Sequence, residues 1–468
     1  MSALSRLKNR WFAGPDFYVR VLHVAVPVML QNAVTSFVSL LDNIMIGQVG
    51  TLEMSGVSIA NQLLFIFNLT IFGCVNAAGI FSAQYAGRKD TEGVRNCLRL
   101  KLLIVLAASA FASLIFLLRA DQLISLYLNP DLNDPAEIAY TLNCSREYLM
   151  IMLAGLVPFV ISQAIASTMR DDGDTVLPMR ASFAAVAINF VFNWLLIFGH
   201  FGFPKLGILG AAAATVISRF AEMIWLIIKA FQSRNTKTYF SGVFRNFSIP
   251  GPLLAKVALK GTPLVCNELL WSLGIAGISQ CYSTRGLDAV AACNIYSTVN
   301  NLFLIVCMGM GSAIGIIVGQ LLGAGKPAEA ADTDRKLIVF SILLSILTGL
   351  VMILSAPLFP MVYNTTDTVR RTAASLLRIA GLMMPVITVC NATYFTLRCG
   401  GKTLITFLSD SVFTCLVSWT VALVLSRFTS LPVVMIVFFV SAADLIKAVF
   451  GMILVEKGVW INNLVASV

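Results

Sequence analysis

Gln84-Tyr85-Ala86-Gly87 closes one long apolar run, and Gln320-Leu321-Leu322-Gly323 closes another at an offset of 236 residues (320 less 84). The same offset lays Pro263 on Pro27 and Gly286 on Gly50. Further along, Thr168-Met169-Arg170, with Gly173 and Thr175, matches Thr396-Leu397-Arg398, with Gly401 and Thr403, at an offset of 228 (396 less 168). A few residues have been lost between these points. Such a duplication in an apolar chain predicts two halves of equal orientation, related by a pseudo-two-fold along the membrane normal, with substrate bound where the halves meet.

The composition fits that reading. Of 468 residues 58% are hydrophobic and 12% charged, against roughly 25% charged in soluble domains. Apolar stretches of about 20 residues, each long enough to cross a bilayer as a helix, recur from Tyr18 to Lys457. Read against Gly, Pro and charge clusters, they predict twelve helices, starting near Phe17, Leu52, Gly93, Ala136, Pro178, Leu206, Leu254, Asp288, Thr333, Thr368, Thr403 and Pro432. The fold class expected is all-α and polytopic, with twelve transmembrane helices in two pseudo-symmetric six-helix bundles. The expected boundaries are 1–231 for the first bundle, 232–253 for a cytoplasmic linker around Pro250-Gly251-Pro252, and 254–468 for the second bundle.

The excess of 33 Lys+Arg over 23 Asp+Glu falls in alternate loops. Arg6, Lys8, Arg10 and Arg20 precede or open the first span; Arg88, Lys89, Arg95, Arg99 and Lys101 follow the second. Lys229, Arg234, Lys237, Arg245, Lys256 and Lys260 lie at mid-chain, and Lys326, Arg335 and Lys336 follow the eighth span. The intervening loops hold Asp121, Asp131, Asp134 and Glu137. This is the positive-inside pattern, which puts both termini in the cytoplasm and the chain in the cytoplasmic (inner) membrane. It removes the main argument for a nucleic-acid partner. Ten scattered cysteines and two separated histidines, His23 and His200, predict neither a disulfide framework nor a metal site. The basic N-terminus lacks a cleavage site behind a short apolar core, so no signal peptide is expected.

Within this frame the residues resemble the multidrug and toxic compound extrusion (MATE) family over nearly the whole chain. The resemblance rests on Pro27 with Gln31, Asp42 to Gly47, Gln84 to Gly87 with Gln320 to Gly325, the Arg170 to Thr175 loop, and Asn189 to Asn193 followed by Leu196 to Gly199. It implies two bundles enclosing a V-shaped central cavity, and export of organic cations or amphipathic compounds against inward H⁺ or Na⁺. It also implies a monomer in lipid, with a small-molecule substrate and no cofactor beyond the coupling ion.

Asp42 lies late in the first helix with no opposite charge within a turn. At that depth a carboxylate requires a proton, a bound cation or a wet cavity. The resemblance makes an acid at this position central to cation coupling; the plainer alternative is a hydrogen bond to a helix neighbour. Asn189 and Asn193 stand one turn apart on the fifth helix. In relatives with a sodium site here the second is often Asp, so Asn193 removes a charge and tilts the coupling ion toward H⁺. Thr215 matches the hydroxyl of the same site. Glu268 resembles the seventh-helix glutamate of members that bind their cation in the second half, but the tenth helix offers Asn391 where they place an acid. Pro27 is the hinge expected among Pro27, Pro158, Pro263 and Pro385, because a bend there moves Asp42. Gln31, Met29 and Asn391 are expected at the substrate cavity.

Arg219 with Glu222 and Asp444 with Lys447 are each three apart on one helix, and each is expected to neutralise itself. Asp410 is expected to anchor the cytoplasmic end of the eleventh helix. Gly325-Lys326 fails as a phosphate loop, since Gln320 stands where such a loop needs glycine and Pro327 where it needs Ser or Thr. A lipid-linked precursor flippase is the alternative transporter; it calls for several cations within the spans. No paired His/Asp/Glu or Ser/His constellation at membrane depth supports an enzyme.

Overall fold

A backbone in hydrocarbon has no water to bond with, so an apolar segment must satisfy its own N–H and C=O groups as a helix. The computed structural model describes residues 11–128, 134–243, 249–363 and 365–466. Arg6, Lys8, Arg10, Asp131 and Arg245 lie outside them. The described chain is all-α: α1 (Pro15–Gly47), α2 (Thr51–Arg88), α3 (Thr91–Ser125), α4 (Pro135–Ala154), α5 (Leu156–Asp171), α6 (Val176–Phe198), α7 (Ile208–Gln232), α8 (Gly251–Ser283), α9 (Leu287–Gly323), α10 (Pro327–Ser355), α11 (Asp367–Cys399), α12 (Thr403–Phe428) and α13 (Val433–Glu456).

Ten of these are individually long and apolar enough to span, and α4 with α5, bent by 49°, makes an eleventh span among the described residues. The twelfth is α8, whose 33 residues suffice in length; Lys256, Lys260, Asn267 and Glu268 lower its hydropathy. The α4–α5 bend falls at Gly155, which ends α4 and begins α5. Pro158 then stands in the first turn of α5, where its missing N–H costs little. Pro27, Pro263 and Pro385 lie inside α1, α8 and α11.

Local chemistry sets the helix starts. Asp90 accepts from Gly93 N at 2.9 Å to open α3, and Asp134 accepts from Ala136 N at 3.0 Å with Pro135 behind it to open α4. Exposed apolar side chains such as Leu118, Leu354 and Leu416 are the faces that lipid covers. In α10 the window of mean hydropathy 2.8 is only 33% buried within the protein, the signature of a helix solvated by acyl chains rather than by a core.

Packing divides the chain into two compact units. One takes the described residues of Met1–Met29, Ala83–Lys89 and Ala255–Val468; the other takes those of Leu30–Ser82 and Asp90–Leu254. In the first, Val21 and Ala25 of α1 share a core with Met310, Ala313 and Ile314 of α9, Leu337 of α10 and Ala392 of α11. The ends of α2 and α9 meet backbone to backbone. A Cβ on Gly87 would stand 1.9 Å from the Gln320 carbonyl oxygen, and one on Gly323 1.8 Å from that of Gln84. Only glycine permits this approach, and the two glycines are repeat partners. The chain after α13 seals the contact. Gln84, fully buried, donates to the carbonyls of Cys399 (2.9 Å) and Asn462 (3.2 Å) and accepts from Leu464 N (2.7 Å), while Arg88 donates to the Val465 carbonyl (2.9 Å). In the second unit, Arg95 and Arg99 of α3 donate to the carbonyls of Thr238, Tyr239, Gly242 and Val243, which holds the mid-chain segment against α3.

Gly323→Val should therefore destabilise the protein by about 1–3 kcal/mol through overpacking, read as a lower melting midpoint in detergent. Gly251→Ala, with nothing within 4 Å of its Cβ, should leave the midpoint unchanged.

Candidate functional site

Small residues decide where polar side chains can meet. A Cβ at Gly210 would stand 2.5 Å from the Leu196 carbonyl oxygen, so glycine there lets α7 lie directly on α6, with Ala211 to Ala214 continuing the close contact. This brings Thr215 of α7 to Asn189 of α6. Asn189 Nδ2 donates to Thr215 Oγ1 at 3.3 Å, and Thr215 donates on to the Ala211 carbonyl at 3.0 Å. One turn away, Asn193 Nδ2 donates both to Asn189 Oδ1 (3.0 Å) and to Asp42 Oδ1 of α1 (2.5 Å). The four residues expected to act together thus form one chain across α1, α6 and α7.

Asn193 is 1% exposed, and Asp42 is half-buried. Among the described residues no Lys, Arg or His nitrogen lies within 4.0 Å of the Asp42 carboxylate. With both amide hydrogens of Asn193 committed, its own Oδ1 is buried and has no partner. A half-buried carboxylate held by a single neutral amide has its lone pairs partly satisfied but its charge uncompensated by that contact.

Glu268 belongs to a different cluster in the other unit. Its neighbour Asn267 donates to Asp410 Oδ2 at 3.1 Å and accepts from Ser411 Oγ at 2.6 Å on both Oδ1 and its backbone oxygen. Asp410 forms an ion pair with Lys447 of α13. Glu268 itself faces Arg398, Tyr394 and Asn267, and the Arg398 guanidinium stacks over Phe395 at 5.2 Å. Asn391 stands on the α9 side of α11, donating to Met308 Sδ at 3.4 Å, with its Oδ1 buried and unpartnered. Met29 packs on α9, its Cγ 2.2 Å from where a Cβ on Gly309 would be. Gln31 is tied to Ser182 (2.8 Å) and Arg170 (3.4 Å) in the unit that holds Asp42.

The family model for MatE matches this chain twice, over residues 27–195 and 263–424. The chain belongs to the MatE family. The two matches begin on Pro27 and Pro263, the repeat partners read from the sequence. Among curated relatives, a probable multidrug resistance protein NorM of Thermotoga maritima is 24% identical over 84% of this chain and 83% of its own length. A probable multidrug resistance protein YoeA of Bacillus subtilis is 24% identical over 70% of this chain and 69% of its own. Among solved structures, a variant of the Vibrio cholerae MATE transporter VcmN superposes with a TM-score of 0.84 at 18% identity, covering 96% of this chain and 98% of that one. A MOP superfamily transporter from Pyrococcus furiosus superposes with a TM-score of 0.84, also at 18% identity, over 94% and 95% of the two chains.

Three expectations about this MatE chain need correction. Lys447 does not settle on Asp444 of its own helix; it reaches Asp410 on α12. There, π-helical turns at Leu408–Val412 and Thr414–Ser418 each add a residue and re-aim the face that follows. Asp410 accordingly joins a buried ion pair instead of anchoring a cytoplasmic helix end. Arg219 does not pair with Glu222. It lies over the Phe159 ring at 4.8 Å and donates to the Gly155 carbonyl at 3.4 Å, which also accepts from Phe159 N at 3.2 Å at the start of α5. Glu222 instead accepts from Ser182 Oγ at 2.7 Å.

Sequence reasoning also missed Lys101, counted among the loop cations. It is fully buried in α3 and contacts Asp171 (2.6 Å), Ser167 (2.9 Å) and Thr168 (3.2 Å) of α5. Its place ten residues inside α3, with no further charged residue before Arg119, was the available signal. In the repeat, the partner of Thr168 is Thr396, and it donates to the buried Asp334 of α10 at 2.6 Å.

Breaking a buried pair leaves an uncompensated charge, so Lys447→Met should cost about 3–5 kcal/mol. Asp410→Asn in the same chain should return part of that. Thermal midpoints of the single and double variants check this.

Proposed function

We propose that this MatE-family membrane protein exports small organic compounds, cationic or amphipathic, by antiport with H⁺, and that Asp42 carries the coupling proton. The observation that supports this best is the Asp42–Asn193–Asn189–Thr215 chain, in which a half-buried carboxylate is held by an amide donor and by no cation. Protonating Asp42 removes its charge from the low-dielectric region, and deprotonation there leaves an anion that attracts an organic cation. Competition between proton and substrate for one carboxylate is enough to couple their movements, provided each favours a different conformation. The names of the NorM and YoeA relatives support the substrate class.

Na⁺ is less well served. A hard cation seeks several oxygen ligands, whereas Asn193 presents N–H to Asp42. Pro27 as the hinge is supported by the division of α1 between Met29 and Leu30, just past the proline. We further infer that both termini face the cytoplasm and that the halves 1–231 and 254–468 are joined by 232–253. The charge pattern supports this through Arg88, Lys89, Arg95 and Arg99 on one junction and Lys229 to Lys260 on another.

Efflux of a fluorescent organic cation from proteoliposomes, under separately imposed H⁺ and Na⁺ gradients, tests the reading. The H⁺ gradient should drive efflux, and Asp42→Asn should reduce it to passive leak while the protein still inserts and elutes as a single species. Undiminished H⁺-driven efflux by Asp42→Asn would overturn it.

A further inference from the structure

The three helices that supply the Asp42 chain carry a second polar tier on the same faces. Glu222 follows Thr215 by seven residues on α7, Ser182 precedes Asn189 by seven on α6, and Gln31 precedes Asp42 by eleven on α1. Seven and eleven residues are two and three helical turns, a displacement of about 10–16 Å along the axes. The lower tier is itself a continuous chain. Arg170 of α5 donates to Gln31 Oε1 at 3.4 Å, Gln31 Nε2 donates to Ser182 Oγ at 2.8 Å, and the Ser182 hydroxyl donates to Glu222 Oε1 at 2.7 Å. Every donor points one way, and Glu222 is the terminal acceptor.

The second repeat places related residues at the corresponding positions, with different charges and different contacts. Gln31 corresponds to Asn267 at the offset of 236, and Arg170 to Arg398 at 228. Ser182 corresponds to Ser411 at 229, the extra residue being the one inserted by the π turn of Leu408–Val412. On the last helix of each half the charges invert at a common offset of 225: Arg219 is replaced by Asp444, and Glu222 by Lys447. Ser411 contacts Asn267 as Ser182 contacts Gln31, but with the direction reversed: Ser411 donates to Asn267 Oδ1, whereas Ser182 accepts from Gln31 Nε2. The second half closes its chain with the Asp410–Lys447 ion pair. The first half leaves Glu222 with a hydroxyl donor and, among the described residues, no cationic nitrogen within 4.0 Å.

We propose that Glu222 is a second proton-binding carboxylate of the transport cycle, standing where the other half keeps a permanent lysine charge. The charged groups that face it are Arg170 from α5 and Arg219 from its own helix, with Ser182 from α6 and, through Ser182, the neutral Gln31 of α1. Neither arginine forms an ion pair with Glu222: Arg170 donates to Gln31, and Arg219 to the Gly155 carbonyl over the Phe159 ring, so the direct contact that holds the carboxylate is the Ser182 hydroxyl, which leaves an oxygen open to a proton. On protonation, hydronium relayed through water entering the tier gives H⁺ to Oε2 of Glu222 and is left as neutral water. The new O–H donates to that water, while Ser182 still donates to Oε1 and receives from Gln31, so no donor of the chain is stranded. This deepens the H⁺-antiport reading and rests on it for its place in the cycle.

The test is pH-difference infrared spectroscopy of the full-length protein in lipid, comparing wild type with Glu222→Gln and Asp42→Asn, alongside H⁺-driven efflux of ethidium. Wild type should show titrating protonated-carboxyl components, and Glu222→Gln and Asp42→Asn should each lack a different one of them. Glu222→Gln should also lose driven efflux while keeping its thermal midpoint, and Glu222→Asp should restore part of both signals. An infrared difference in Glu222→Gln identical to that of wild type overturns the proposal. Loss of a component in Glu222→Gln but none in Asp42→Asn upholds it and overturns the assignment of the coupling proton to Asp42. No change in either variant overturns both.

Discussion

Hydrocarbon does not solvate charge, and each ionisable group buried in this protein has to be neutralised by something the fold brings to it. The structure uses three kinds of partner. Lys101 with Asp171 and Asp410 with Lys447 are direct ion pairs. Asp334 and Glu222 receive hydroxyls, from Thr396 and Ser182. Asp42 receives an amide from Asn193. The first kind is self-sufficient. A hydroxyl or amide satisfies lone pairs but supplies no charge, so the other acids are held without an ion pair among the described residues. That partition separates bracing from candidate function.

The repeat makes this partition visible twice in one chain. What the halves share is backbone geometry: Gly87 and Gly323 allow reciprocal approach at the ends of α2 and α9, and the Gln84 carboxamide sews the terminal segment to that contact. What they do not share is charge. One half presents Asp42 and Glu222 without cations. In the other, Ile278 occupies the repeat position of Asp42 and Lys447 that of Glu222. Duplication fixed the scaffold, and divergence of single side chains assigned the halves different electrostatic tasks.

The helices were legible because hydropathy and capping are local properties. Expected starts such as Leu52, Ala136 and Thr403 fall on or within a residue of the observed ones, each behind a capping or turn residue. The α4–α5 break was half legible: Pro158 marked the region as a candidate kink, but the bend itself falls at Gly155, where the apolar run continues uninterrupted. The Asp42 set was legible from spacing and resemblance together. The ion pairs were not: a local rule ranks a partner three residues away above one on another helix. It could not register the π turns that bring Asp410 to Lys447 or the carbonyl at Gly155 that draws Arg219 from Glu222. Lys101 was misplaced for a related reason, because counting charges by loop cannot see which cation faces inward.

The polarity of the amide chain bears most directly on which cation, H⁺ or a metal ion, Asp42 could accommodate. In the observed arrangement Asn193 gives one hydrogen to Asp42 and the other to Asn189, whose own amide passes a hydrogen to Thr215. An amide hydrogen pointed at Asp42 suits an anion. Once Asp42 is protonated it becomes a donor, and rotation of the Asn193 amide would set its unpartnered oxygen against the new O–H. The Asn189 oxygen would then lose its donor, so the change passes to α7 through Thr215. A proton therefore alters hydrogen-bond direction across three helices. A metal ion at Asp42 would need oxygen ligands where the chain offers N–H, and an aspartate at position 193 would provide one. The substitution that removes a charge from this site is also the one that makes its hydrogen bonding sensitive to a proton.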